Sequence, residues 1–310
     1  MDLIIQIGLL ALGFFMLVKG ADYFVDGAAG IATKFGIPQL VVGLTIVAMG
    51  TSAPEAAVSI TGALNGAADI SIGNVVGSNI LNVLIILGVT GVITAVAVQK
   101  STLMIEMPFM MAITVLLIVL GMTGNEITFF EGVILWICFI AYLAYLYVLA
   151  KKGTDEEATE DRPIWKLLLF IVVGGVVVVW GANISVDAAV AIATAIGISE
   201  KLIGLTIVAL GTSLPELVAS VTAAKKGNAD IAIGNIVGSN IFNILFVLGT
   251  SALIIPIPYQ SAFLFDGIVA VAAGVLLWIA TIRKRELSRV WGAIMLLCYA
   301  AYLAYSLSLG

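Results

Sequence analysis

Glu55 and Glu216 each stand inside a hydrophobic run, directly after the stretches Gly50-Thr51-Ser52-Ala53-Pro54 and Gly211-Thr212-Ser213-Leu214-Pro215. A charge at the centre of a bilayer costs about 2.5 to 3.5 kcal/mol even on lenient insertion scales, so both acids must face protein, a water path or a cation. Proline lacks the N–H that would bond the carbonyl four residues earlier. Pro54 therefore frees the carbonyl of Gly50, Pro215 frees that of Gly211, and the neighbouring backbone can unwind. Thr51 and Ser52 precede Glu55 by four and three residues, which places hydroxyl and carboxylate oxygens on one helical face. Thr212 and Ser213 stand the same way before Glu216. Later in each half come Ser78 with Asn82 and Ser239 with Asn243, both spaced i, i+4.

These candidate ligands are all oxygen: two carboxylates, hydroxyls, amides and freed carbonyls. Hard cations want such a set, calcium in particular, which takes about six to eight oxygens in irregular geometry. Sodium fits similar cages with less charge. Without a cation, two adjacent carboxylates would have to share protons, because like charges disfavour a second ionisation. A mere packing kink would not need a buried glutamate twice.

The elements that must position these residues are set by composition. Of 310 residues 62% are hydrophobic and only 11% charged, about half the charge of a soluble domain. The apolar runs are too long for the alternating spans of a membrane barrel, so the chain reads as an all-α membrane protein. With no histidine it cannot make the usual zinc sites or a Ser/His pair. It shows no phosphate loop and no GxGD or GxSxG signature, so an enzyme is not expected, nor a cofactor. A net charge of -5 offers no basic face for nucleic acid, and no obligate protein partner is evident. Cys138 and Cys298, both in apolar stretches, read as buried small hydrophobes.

Hydropathy divides the chain into ten spans, 3–33, 39–64, 70–95, 102–121, 127–150, 164–195, 200–224, 231–254, 260–282 and 288–308. The first carries no basic leader or cleavage site and reads as a retained span. With both termini outside, the cytoplasmic loops hold 12 of the 14 basic residues, against Lys201 alone on the outer loops. The acidic segment 151–163, with Asp155, Glu156, Glu157, Glu160 and Asp161, reads as a solvated cytoplasmic linker.

Residues 43–88 align without a gap to 204–249 at a constant offset of 161, with 30 identities in 46 positions. The chain is thus a duplicated five-helix unit, 1–150 and 164–310. Five is odd, so the copies are inverted across the membrane, with the broken helices meeting at the midplane, as in transporters that alternate access. Gly73, Gly77, Gly234 and Gly238 would let helices approach closely. Asn74, Asn79, Asn235 and Asn240 either bond between helices or line an ion path. Asp69 and Asp230 read as N-caps, and Asp26 and Asp187 as anchors or access-route residues. Glu106, Glu126, Glu131 and Asp266 lack repeat partners in this alignment and read as interfacial.

The motifs GTSAPE and GTSLPE, followed by GNVVGSNILN and GNIVGSNIFN, resemble those of the cation/calcium exchanger superfamily, most closely the prokaryotic sodium/calcium exchangers. The resemblance spans the whole ten-span plan. It implies that Glu55 and Glu216 coordinate calcium and sodium, and that Thr51, Thr212 and the carbonyls of Ala48 and Ala209 add ligands. It implies further that Ser52, Ser213, Ser78 and Ser239 complete the sodium sites, and that the long first and sixth helices slide to switch access. Where such exchangers often carry an aspartate this chain has Asn243, the counterpart of Asn82. Two acids instead of three argue against potassium dependence and suggest an electroneutral 2:1 cycle. The expected function is a plasma-membrane antiporter extruding calcium against sodium. A proton-driven calcium exchanger and, from a different class, a cation channel are the alternatives.

Overall fold

The computed structural model describes residues 3–153, 160–197, 207 and 209–309. The first half comprises α1 (Leu3–Phe35), α2 (Gln39–Thr51), α3 (Ala53–Leu64), α4 (Ile70–Ile93), α5 (Thr102–Met122) and α6 (Phe129–Lys151). The second comprises α7 (Ile164–Ala195), α8 (Ala209–Thr212), α9 (Leu214–Lys225), α10 (Ala229–Ile254), α11 (Phe263–Ile282) and α12 (Arg289–Ser308). Among the described residues eight helices are long and apolar enough to cross a membrane, and α2 with α3, bent by 52°, makes a ninth. The segment expected to begin the seventh span, with Lys201 and the first residues of the second motif from Gly204, lies outside the described residues. So do Asp155, Glu156 and Glu157 of the linker.

The repeat is visible in the backbone. Gly36 and Gly197, and Gly66 and Gly227, each pair 161 apart, adopt left-handed conformations (φ 61°, 85°, 79° and 82°) just beyond α1, α7, α3 and α9, the usual glycine stop of a helix. The breaks fall at Ser52 (φ −81°, ψ 8°) and Ser213 (φ −91°, ψ 4°). Pro54 and Pro215 sit in the first turn of the following helix, where a missing N–H costs nothing. Widened π-type turns, which hydropathy does not reveal, begin at Asn82 (Asn82–Ile86) and at its counterpart Asn243 (Asn243–Leu248). Such turns are enriched at functional sites.

Two-residue strands tie the halves together. β1 (Val96–Ala97) pairs antiparallel with β4 (Glu286–Leu287), and β2 (Glu126–Ile127) with β3 (Ile257–Pro258). Each bridge joins a loop of one repeat to a loop of the other. It also reveals a partner for Glu126, because β2 and β4 correspond at an offset of 160 and match Glu126 with Glu286.

α4 and α10 form the centre and are mostly buried, whereas α12 lies mostly exposed at the outside of the bundle. α1 and α7 pack along each other through small residues. A methyl on Gly20 would lie 2.8 Å from the Val178 backbone nitrogen, and one on Gly174 2.5 Å from that of Phe24. Gly13 and Gly181 oppose each other in the same manner. Lipid is as apolar as leucine, so close backbone approach is what drives such association.

Several expectations need correction. α10 starts at Ala229 with Asn228 in the capping position, so Asp230 lies inside the first turn, and its carboxylate accepts from Gln99 Nε2 at 2.6 Å. Asp69, immediately before the apolar span α4, is already helical, with Ala68 in the capping position; its side chain lies outside the described set. Glu131 closes a capping box with Thr128. Glu106 is fully buried against protein, and Asp266 is half-buried. They sit 160 apart, and each accepts a tyrosine hydroxyl, from Tyr145 and Tyr302 respectively. Cys138 is half-buried and Cys298 exposed, because an apolar span facing lipid need not face the core. Asp26 is an anchor, holding Lys226 Nζ at 2.8 Å, and Asp187 is exposed. The linker end is pinned instead of free: Lys34 Nζ donates to the Glu160 carbonyl and Arg162 forks onto its carboxylate. Arg162 holds that carboxyl well below the usual range, at about 2.

Candidate functional site

The two breaks bring Glu55 and Glu216, 1% and 0% exposed, into one buried cluster. Ser52 Oγ, at the first break, donates to Glu216 Oε1 at 2.8 Å, while Ser213 Oγ, at the second, donates to Glu55 Oε1 at 3.3 Å. Each hydroxyl serves the opposite repeat's acid, so the pair closes only when both halves are docked. Thr212 lies beside Glu55 and Thr51 beside Glu216. Thr51 Oγ1 also reaches Asn235 Oδ1 at 3.0 Å.

A second layer of amides holds the glutamate helices. Asn74 Nδ2 donates to Ser59 Oγ (2.9 Å) and the Glu55 carbonyl (3.2 Å), and Asn235 Nδ2 to Ser220 Oγ (2.9 Å) and the Glu216 carbonyl (3.4 Å). Across the centre, Asn79 Nδ2 donates to the Asn240 carbonyl and Asn240 Nδ2 to the Asn79 carbonyl, both at 3.1 Å. Asn82 Nδ2 then donates to Asn240 Oδ1 at 3.0 Å, and Asn243 Nδ2 to Asn79 Oδ1 at 3.1 Å. Every one of these bonds has its mate at the 161-residue offset.

What remains is a set of oxygens. Among the described residues seven buried side-chain polar atoms lack a partner, and four are Glu55 Oε2, Glu216 Oε2, Asn82 Oδ1 and Asn243 Oδ1. Orphaned buried oxygens are costly and rare in native proteins. Here the amide nitrogens are spent on holding the frame, and one oxygen of each acid and amide is left for something else. Among the described residues no group of three or more acidic or cysteine side chains is placed to hold a metal ion.

The other expected ligands are placed unequally. Ser239 is buried and donates to the Ala48 carbonyl at 3.4 Å, an oxygen that also accepts from the Ser52 N–H at 3.0 Å. Ser78 is buried and borders a cavity with Asn74, Tyr299 and Tyr302. Ala209 begins α8, one turn before the second break. Gly234 and Gly238 do admit close packing, against α2 at Leu40, Gly43 and Leu44. Gly73 and Gly77 border the Ser78 cavity, and the segment matching Leu40–Leu44 in the second half lies outside the described residues.

α1 and α7 seal the cluster at its flanks. Phe24 packs on Gly50, and Val186 on Gly211, so closely that a methyl on either glycine would lie 2.8 or 2.4 Å from the neighbouring side chain. A cavity of about 450 Å³ opens beside the first break, and one of about 380 Å³ along α9 from Leu217 onward. One is lined by Val179 and Asn183 of α7, the other by Val18 and Asp22 of α1, which are equivalent positions in the two repeats. The interlocked Asn79–Asn240 pair is what sequence reasoning left undecided, since spacing places an amide on a helix but not the carbonyl it meets.

Comparison with known proteins agrees with this geometry. The family described as sodium/calcium exchanger protein matches residues 5–148 and 166–308. The chain is 33% identical over 337 residues to the sodium/calcium exchanger MaX1 of Methanosarcina acetivorans, covering 95% of this chain and 96% of that protein. It is 35% identical over 267 residues to the inner membrane protein YrbG of Escherichia coli, covering 82% and 81%. Among solved structures, the sodium-calcium exchanger NCX_Mj soaked with zero Na+ and Ca2+ superposes with a TM-score of 0.85 at 33% identity, over 98% of this chain and 99% of that one.

Proposed function

The chain belongs to the sodium/calcium exchanger protein family, and from that premise we propose that it is a secondary antiporter exchanging calcium for sodium at the Glu55/Glu216 cluster. The observation that carries this reading is the set of four unpartnered buried oxygens, two from acids and two from amides, arranged in equivalent pairs. A hard cation satisfies such oxygens, and two carboxylates balance one Ca2+ or two Na+. The ligands are Glu55, Glu216, Thr51, Thr212, Ser52, Ser213, Ser78, Ser239, Asn82 and Asn243, with the Ala209 carbonyl, and with the Ala48 carbonyl joining when its present hydrogen bonds yield.

The paired bonds at a 161-residue offset support two inverted five-helix repeats and a ten-span plan. The cavities beside Gly50 and Leu217 support access from either side in turn, with α1 and α7 as the moving pair. The asymmetry of basic residues supports outward termini, a cytoplasmic linker and placement in the plasma membrane, where calcium extrusion is the working direction. The site's two-acid charge supports an electroneutral cycle.

Calcium flux into proteoliposomes tests the reading. Uptake should follow an outward sodium gradient at clamped pH and should not change with membrane potential. Uptake driven by a proton gradient alone would replace sodium with protons as the counter-ion, and currents at channel rates would overturn antiport altogether.

A further inference from the structure

We propose that Lys226, with Asp22 and Asp26, is an ionic latch that sets which face of the exchanger is closed when no cation is bound. The inference rests on the antiport reading, in which α1 and α7 move. The Lys226 ammonium, just beyond α9, donates to Asp26 Oδ1 at 2.8 Å and to the Asp22 carbonyl at 3.1 Å, and stands 3.3 Å from Asp22 Oδ1. Lys19 adds a longer contact to the second Asp22 oxygen at 3.9 Å, and the Arg162 guanidinium lies near enough to Asp26 for their charges to attract. One moving helix is thus tied by charge to a helix of the opposite repeat.

The molecule departs from its own symmetry at this point. The repeat offset maps Lys226 to Asn65, Asp22 to Asn183 and Asp26 to Asp187, so the other face has no lysine at the end of α3 and one acid fewer on α7. The backbone is uneven in the same sense: α1 packs along α9, whereas α7 and α3 scarcely meet. The cavity on the α7 side reaches Gly50 and Ala53 at the first break, while that on the α1 side begins only at Leu217. The chain is closed where the latch lies and open where its counterpart is missing. Swinging α7 onto α3 would bring Asn183 and Asp187 toward Asn65, an amide in place of an ammonium. The two closures of one symmetric frame then differ in free energy by the latch. An exposed ion pair is worth at most about fivefold in an equilibrium. The latch has two, Lys226 with each aspartate, and their side chains are 29 to 40% exposed. A bias of about three- to tenfold follows, enough to set the resting population and small enough for a bound cation to reverse. On the proposed topology the latched face is cytoplasmic, so the empty carrier rests open to the outside.

Spin labels at Phe35→Cys on α1 and Lys225→Cys on α9, both exposed positions, report the gap between the two helices by pulsed electron spin resonance in a Cys138→Ser, Cys298→Ser background. In nanodiscs with choline in place of sodium and calcium, one short distance should dominate. Lys226→Asn, which copies the counterpart residue, should raise the ratio of long to short distances about three- to tenfold, and Lys226→Arg should leave it unchanged. Asn65→Lys with Asn183→Asp, which builds a latch at the other face, should raise the ratio by a similar factor. A ratio that stays put in Lys226→Asn, or that rises equally in Lys226→Arg, would overturn the proposal. The measurement needs no flux: absent calcium exchange with the distance shifts intact would refute antiport alone, and normal exchange with an unmoved ratio would refute the latch alone.

Discussion

Ser52 of the first repeat donates its hydroxyl hydrogen bond to Glu216 of the second, at 2.8 Å. Together with its mate from Ser213 to Glu55, this crossed pair makes the site a property of the docked halves. Each serine donates to the glutamate of the other repeat and not to the one three residues on.

Neutralising either acid should therefore disable the site from both sides. Glu55→Gln and Glu216→Gln are each expected to lower calcium affinity and exchange by about ten- to a hundredfold, the value of one charge-assisted contact. Isothermal titration and vesicle flux measure this, with circular dichroism melts to check that the fold survives. Near-normal exchange in either variant would remove Glu55 and Glu216 from the transport step.

The central amides should behave as structure. Asn79→Ala deletes one bond to Asn240 and one from Asn243 and leaves buried groups unpaired, an expected cost of about 1 to 3 kcal/mol. Asn243→Ala removes one of the same bonds, so the double variant should cost less than the sum. Full additivity in unfolding titrations would mean that the shared 3.1 Å bond carries no coupling.

Two glycines on α1 give opposite expectations. Gly20→Val pushes into the Val178 backbone, which cannot rotate away, and should destabilise by about 1 to 3 kcal/mol. Gly8 has nothing within 4 Å of where a methyl would lie, so Gly8→Ala should be neutral or gain up to about 1 kcal/mol from helix propensity. Thermal unfolding in detergent distinguishes them, and equal melting points for the two variants would contradict the packing assigned to α1 and α7.

The linker end should respond to acid. The Glu160 carboxyl is held at about 2, against about 4.3 for a free glutamate. Its folded value is depressed, so its contribution is complete above about pH 4.3 and is lost as pH falls toward 2. Carbon-detected titration of Glu160 should show this midpoint, and Arg162→Ala should return it to the ordinary range. A midpoint near 4 in the unmodified protein would mean that Arg162 does not hold it.

Much of the molecule was legible in the residues. Membrane class, the repeat, the two glutamates and the serines and prolines around them follow from hydropathy and self-similarity, since a buried charge and a repeated motif are visible in one dimension. The offset of 161, however, hid a second register. Glu126 with Glu286, and Glu106 with Asp266, match at 160, because one residue is lost in the loops after α4 and α10 and an ungapped alignment ends there.

The sequence by itself determined which oxygens are available and that they come in two matched sets, because a costly polar residue inside an apolar run and its repetition are both visible along the chain. Only the tertiary structure decided how those sets meet: that Ser52 serves Glu216, that Asn79 locks to Asn240, and that four oxygens remain free. Hydrogen bonds depend on the direction and separation of groups more than 150 residues apart, which packing of the two halves fixes and spacing along the chain does not.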